Sequence, residues 1–218
     1  MATSPVAPVE ALAAVHDAEL RLIAVVGPLG DDDVAAPSRL PGWSVGHLVT
    51  HLARNADSHV RRTRASIDGV SVDQYPGGAA QREGEIEAGA HRPAAALQLD
   101  LEESSTRLLD AWSDVPAHAW ASVTRDASGR PRPLSELPGR RWLEVEVHLV
   151  DLGCGPTHQD WPDAFVEARL PEMRAGATER LPDGTRLPDP GALDGRDELA
   201  WLLGRLTADG LPVLGSWS

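Results

Sequence analysis

Apolar positions recur at helical spacing in four long stretches of the chain. From about Val9 to Val26, Leu12, Leu20, Ile23 and Ala24 mark a first helix, bracketed by Pro5 and Pro8 before it and Gly27-Pro28 after it. Asp31-Asp32-Asp33 and the run from Pro37 to Gly42 read as turns, and Ser44 is placed as the N-cap of a second helix through about Ile67. The polar, Gly-rich stretch from Asp68 to Gly89 reads as a long loop or a frayed helix. Leu97, Leu101, Leu108 and Ala111 then form the apolar stripe of a third helix, Pro93 to Trp112. A connection rich in Pro116, Pro131, Pro133 and Pro138 leads into a fourth, near Arg140 to Leu152, which Gly153 and Gly155 stop.

Four amphipathic helices with substantial connections predict a mainly α protein built on an antiparallel four-helix bundle, whose facing helices can hold a metal site in the core. After Gly155 the pattern changes. Phe165 to Leu170 and Ala177 to Arg186 read as short strands or loops, with Asp183-Gly184 as a hairpin turn, before a last helix from Gly195 to Leu206. The expected organisation is therefore a bundle over residues 1–154 and a small α+β domain over residues 155–218.

The fourth helix carries the unusual signal. At about 100° per residue, Arg141, Glu144, His148 and Asp151 share one face, flanked by Trp142, Val145, Leu149 and Leu152. Glu146 points about 200° away from Glu144 and is expected to meet solvent. The plain reading of the polar stripe is a row of exposed salt bridges, Arg141 to Glu144 and His148 to Asp151. The chemical reading is a carboxylate and an imidazole side by side at i and i+4, as in helical metal sites. On the second helix His47, His51 and Asn55 share a face. Either histidine is a candidate third ligand, and three protein ligands with one open position is the arrangement of a catalytic zinc. Each histidine alone also reads as a core side chain bonded to a backbone carbonyl.

Composition narrows the classes. The 218 residues carry a net charge of −13 with no basic block, which argues against nucleic acid as a partner because phosphate binding needs a clustered cationic footprint. One cysteine, Cys154, excludes an intrachain disulfide and a multi-cysteine zinc site, and Cys154 itself reads as a small buried residue. No apolar stretch approaches the roughly 20 residues of a membrane span, and the acidic N-terminal stretch lacks the basic start of a signal peptide, so a soluble cytoplasmic protein is expected. All 20 basic side chains are arginine, and Phe and Tyr occur once each, a bias of GC-rich codons.

The segments PGWSVGHLVTHLARNAD, Pro41 to Asp57, and RWLEVEVHLVDLG, Arg141 to Gly153, resemble the paired signatures of the mycothiol-dependent maleylpyruvate isomerase family, a branch of the DinB-like four-helix metalloproteins. The resemblance implies a zinc held by His51, Glu144 and His148, with His47 left to packing or to a supporting role behind the ligands. Asp151, one turn beyond His148, is then positioned to orient a ligand imidazole. The segment Ala200 to Arg205 resembles the family's C-terminal stretch, which gives Arg205 a part in catalysis and in binding the anionic substrate.

The activity implied is thiol-assisted isomerisation. A thiol with a pKa near 8.5 ionises on zinc, the thiolate adds to the double bond of a cis-enone such as maleylpyruvate, the bond rotates, and elimination returns the thiol with the trans isomer. Mycothiol as cosubstrate and the actinobacterial setting belong to the resemblance. A dicarboxylate meeting so acidic a protein needs local cations, for which Arg205, Arg141 and Arg54 are the candidates. Two other readings share the bundle. One is a thiol S-transferase acting on another electrophile; the other is a non-catalytic zinc-binding or partner-binding protein, whose interaction surface would be the segment with Trp201 and Trp217.

Overall fold

The computed structural model describes residues 7–181, 186–191 and 193–214, which form two compact units, Met1–Cys154 and Gly155–Ser218. The first unit is helical: α1 (Val9–Val26), α2 (Asp31–Ala35), α3 (Val45–Ile67), α4 (Gly78–Ala90), α5 (Ala94–Ser113) and α6 (Leu137–Asp151). Between α5 and α6 a short antiparallel pair, β1 (Val123–Arg125) and β2 (Pro131–Pro133), sets Thr124 opposite Arg132. Helix α1 packs on α5 and α6, and α3 packs on the same two, so α1, α5, α3 and α6 close a four-membered ring. Leu22, Leu48, Leu52, Leu97, Leu101 and Val145 fill it, each at 1% exposure or less. The Leu40 to Gly42 turn delivers Ser44, whose Oγ accepts the His47 N–H and caps α3 as its sequence predicts.

A charge cluster lies at the centre of this ring. Arg141 of α6 donates from Nε to Glu19 Oε1 of α1 at 2.6 Å and from Nη2 to Glu19 Oε2 at 3.2 Å. Its Nη1 donates to the Leu52 carbonyl and Asn55 Oδ1 of α3, at 2.8 and 3.0 Å, while Ser105 of α5 donates to Glu19 Oε2 at 2.7 Å. Both charged side chains are fully buried. The guanidinium meets this cost by spending its donors on fixed acceptors from two helices. Arg141 is therefore a structural tie and not an exposed salt-bridge residue of its helix.

Five expectations are corrected. Glu146 is buried: α1 covers that face of α6, and the carboxylate accepts from Trp142 Nε1 at 3.0 Å and from Arg21. Residues 78–90 form a helix despite Gly78, Gly84 and Gly89. Two glycines are contact points there, since a Cβ on Gly46 would run into the Ala90 carbonyl and one on Gly89 into Thr50. Packing on α3 outweighs their poor helix propensity. In the second unit, Phe165 to Leu170 lies within α7 (Asp163–Ala177), and no strand occurs among the described residues of that unit. Leu170, Met173 and Ala177 face Trp201 and Leu202 of α8 (Gly195–Leu202) at helical spacing, and Pro171 interrupts the pattern without ending the helix. Helix α8 is also shorter than expected. Gly204, at φ 72°, turns the chain, and Arg205 N–H reaches back to the Ala200 carbonyl at 2.7 Å. Trp201 is buried and donates to the Pro212 carbonyl at 2.9 Å, so it is a core residue and not an interaction surface. Asp183-Gly184 and Trp217 lie outside the described residues.

Removing one member of a buried pair strands the other charge. The Glu19→Leu variant is expected to lose about 3–5 kcal/mol of stability in urea unfolding, and Glu19→Leu with Arg141→Leu to regain a large part of it. A loss below about 1 kcal/mol in the single variant would show that the pair is not what holds the ring.

Candidate metal centre

Helices α3 and α6 bring His51, Glu144 and His148 together: one ligand-type atom from each lies within 4.8 Å of the others. Both imidazole Nε2 atoms stand 3.3 Å from the same oxygen, Glu144 Oε2, and the rings meet nearly at right angles with centroids 5.0 Å apart. The histidines are buried and Glu144 is half-buried. The spacing has a local cause. Arg141, one turn before Glu144, is bonded to the carbonyl of Leu52, the residue after His51, so the buried network fixes α6 against α3 beside the cluster.

Asp151 Oδ2 lies 2.9 Å from His148 Nδ1. A carboxylate only accepts, so this nitrogen carries a proton and donates it, leaving Nε2 turned toward Glu144. Burial pulls the His148 imidazole down, but hydrogen bonds to Asp151 and Glu144 outweigh it and hold its pKa above the usual value. Burial pulls His51 down to about 4. Burial pushes the Glu144 carboxyl up, yet hydrogen bonds from His148 and His51 leave it well below the ordinary carboxylate range. The cluster thus offers a neutral imidazole, an anionic carboxylate and an imidazole oriented by a second carboxylate. That donor set suits a zinc-type divalent ion.

His47, the other candidate, faces elsewhere. Its Nδ1 lies 2.8 Å from Ser44 Oγ and its Nε2 3.2 Å from Glu87 Oε2. Trp43 links the two regions, with its ring 6.2 Å from the His47 ring and 5.6 Å from that of His51. An open cleft of about 480 Å³, lined by Arg39, Trp43, Ser44 and His47 among others, lies on this side. His59, two turns beyond His51, is a core residue packed edge-on to Trp112, and burial holds it well below its usual pKa. The Cys154 thiol is half-buried and pushed up by burial, away from the thiolate form a nucleophile needs.

The cations are distributed differently from expectation. Arg141 is fully engaged with Glu19, and Arg54 is paired with Asp100 and Asp57. Arg205 belongs to the second unit, where it follows α8 and donates to the Leu203 carbonyl at 2.6 Å. The side chain that reaches the cluster is Arg82 of α4. Its Nη2 lies 3.3 Å from His51 Nδ1 and its guanidinium 5.8 Å from the Trp43 ring centre, with no carboxylate at ion-pair distance among the described residues. Tyr75 shares this corner, with its hydroxyl pKa raised by burial while Arg82 pulls it down and Glu144 pushes it up. Sequence reasoning missed Arg82 because it falls in the stretch read as a long loop or a frayed helix.

A helical ring with a His/Glu/His cluster between two of its helices defines the class, a four-helix-bundle protein with a metal-type donor site. The chain belongs to the family described as the mycothiol maleylpyruvate isomerase N-terminal domain, whose model matches residues 15–153. The fold is that of a crystal structure of the mycothiol-dependent maleylpyruvate isomerase, with a TM-score of 0.83 and 24% identity over 96% of this chain and 97% of that one. A crystal structure of a histidine-to-alanine mutant of that isomerase superposes with a TM-score of 0.84 at the same identity and coverage. A trans-aconitate 2-methyltransferase of Mycobacterium tuberculosis (strain ATCC 25177 / H37Ra) is 47% identical over 64 residues, 26% of this chain and 24% of that protein. Another, of Mycobacterium sp. (strain KMS), is 42% identical over 62 residues, 25% and 24% of the two. The chain spans about a quarter of the length of these curated relatives. No described helix is long and apolar enough to cross a membrane.

Proposed function

We propose that this protein is a zinc-dependent isomerase that uses a low-molecular-weight thiol, mycothiol, to convert a cis-unsaturated oxoacid of the maleylpyruvate type into its trans isomer. The observation that carries the reading is the convergence of His51 and His148 on Glu144, with Asp151 behind His148. Zinc ligands stand about 3.3 Å apart when each lies 2.0–2.1 Å from a tetrahedral ion, and both nitrogen-to-oxygen spacings in the cluster match that edge. Family membership supports the thiol and the small electrophilic substrate. Bound there, zinc would supply the Lewis acidity that lets a thiol ionise at neutral pH.

The chain's own residues account for the rest. His51, Glu144 and His148 hold the ion, and Asp151 keeps the His148 proton on Nδ1 so that Nε2 is free to coordinate. Coordination through Nε2 would put the His51 proton on Nδ1, where Arg82 now donates. Arg82, beside His51 and without a carboxylate at ion-pair distance among the described residues, is the cation placed to grip a substrate carboxylate. Arg205 keeps the contact to the substrate anion, and the part in catalysis, that the resemblance gives it. Cys154 has no part, so the adding sulfur comes from the cosubstrate: its S–C bond forms at the double bond, the carbon–carbon axis rotates, and the same S–C bond breaks. A cytoplasmic setting, where such thiols stay reduced, belongs to the same reading.

The assay is maleylpyruvate with mycothiol, followed by loss of the cis substrate. The expected product is the trans isomer, at a rate above the thiol-only background. A stable thioether would instead make the protein an S-transferase, and no rate above background would sink the isomerase reading. His51→Ala is expected to lose the metal from this site by metal analysis, whereas Asp151→Ala keeps it with affinity lowered about 10–100-fold. Arg82→Ala is expected to raise KM for the dicarboxylate about 10–100-fold, as for loss of a charge-assisted hydrogen bond, with metal content unchanged and Arg82→Lys recovering part of it. An unchanged KM would remove Arg82 from the substrate site.

A further inference from the structure

A second cluster of the same composition stands on the other side of Trp43. Glu87 and His91 sit one turn apart at the C-terminal end of α4, and His47 lies in the first turn of α3. Ligand-type atoms of the three lie within 4.8 Å of one another. His47 Nε2 is 3.2 Å from Glu87 Oε2, and His91 Nε2 is 3.3 Å from Glu87 Oε1. The two imidazole rings meet at 88°, with centroids 5.4 Å apart.

The arrangement follows from how the helices touch. Gly46 and Gly89 let α4 approach α3 to the point where a Cβ at either would clash, and that approach carries Glu87 and His91 to His47. His47 is already held in place. Its Nδ1 accepts the Ser44 N–H at 3.2 Å and lies 2.8 Å from Ser44 Oγ, and the Trp43 ring stacks on it; coordination through Nε2 would move the ring proton to Nδ1, where Ser44 Oγ can accept it. The two spacings run to different oxygens of Glu87, so its carboxylate lies between the imidazoles, and with one oxygen as ligand the three donor atoms stay within 4.8 Å of one another. Two imidazoles and one carboxylate form a donor set for zinc, nickel or copper and not for calcium or magnesium, which take oxygen ligands. Glu87 and His91 are more than two-thirds exposed, so water can complete the coordination shell.

We propose that His47, Glu87 and His91 form a second divalent-cation site of the zinc type, separate from the His51, Glu144 and His148 cluster. Its occupant clamps the last turn of α4 to the first turn of α3. Helix α4 also carries Arg82, and Trp43 touches His47, His51 and the Arg82 guanidinium. The clamp therefore acts on the element that presents Arg82 to the first cluster. The affinity is about tenfold below that of the buried cluster, because two exposed side chains are immobilised on binding.

The test is titration of the metal-free full chain with Zn²⁺ by calorimetry and with Co²⁺ by its visible d–d absorption. The wild type is expected to take two equivalents, tight and then weaker. Glu87→Gln and His91→Ala, both at exposed positions, are expected to keep only the tight one, and His51→Ala only the weaker one. In the wild type the second equivalent is expected to raise the melting temperature; in His91→Ala it is expected to leave it unchanged. A single equivalent abolished by His51→Ala overturns the second site and leaves the first standing, and a second equivalent that survives in His91→Ala also overturns it. A single equivalent abolished by His91→Ala and kept in His51→Ala supports the second site and overturns the first.

Discussion

The buried pair Arg141–Glu19 is the constraint on which the rest of the first unit depends. One guanidinium bonds side chains or carbonyls from α1 and α3, and Ser105 adds α5 through Glu19, so all four ring helices meet in a single polar network. Apolar packing constrains the axial offset of these helices only through shape, which another set of interdigitating side chains can also satisfy. A fork of donors on fixed acceptors does choose. The offset it sets between α3 and α6 is what puts His51 opposite Glu144 and His148, and a shift of one turn would carry the histidine about 5.4 Å away. The network therefore sits behind the metal-type cluster as its register, with Arg141 and Glu144 one turn apart on the same helix.

The second constraint is the glycine contact between α3 and α4. At Gly46 and Gly89 the two helices come closer than side chains allow, and Arg82, Glu87 and His91 all depend on that approach. Helix α4 has little apolar surface of its own, with Ile86 its one buried large side chain, so backbone proximity and not a hydrophobic stripe seats it. The same feature gives α4 the weakest independent hold of the helices around the site. Helices seated by few apolar contacts open at low free energy, which would suit the part proposed for Arg82.

How much of this was legible in the sequence follows from which signals are local. The bundle helices, the Ser44 cap and the stripe of Arg141, Glu144, His148 and Asp151 are written in spacing along one helix, and the structure keeps them. The choice between His47 and His51 was open to spacing and was made by resemblance; in the structure it is His51 that meets Glu144. What failed was everything set by a neighbour. Glu146 was read as exposed because a helix pattern cannot show α1 lying over it. The Gly-rich stretch ending at Gly89 was read as a loop or a frayed helix because sequence does not distinguish a glycine needed for flexibility from one needed for closeness. Phe165 to Leu170 was read as a short strand or loop because the partners of that segment, Trp201 and Leu202, come some thirty residues later.

The absence of lysine takes on a different weight beside these contacts. As a codon bias it says nothing about fold, and at the surface an arginine for a lysine changes little. At Arg141 the substitution would not be neutral. An ammonium is a single point with three donors, and it cannot reach Glu19, the Leu52 carbonyl and Asn55 at once from one position as a planar fork does. At Arg82 the flat guanidinium lies near the Trp43 ring while extending an N–H to His51, a combination of stacking and directed donation that a lysine lacks. Arginine also stays charged when buried, where a lysine would shed its proton and with it the attraction for an anion. In a chain of net charge −13, the carboxylate of the proposed substrate would need a cation that is near the cluster and not already neutralised by an acid. Arg54 and Arg141 fail the second condition, and in the first unit Arg82 satisfies both.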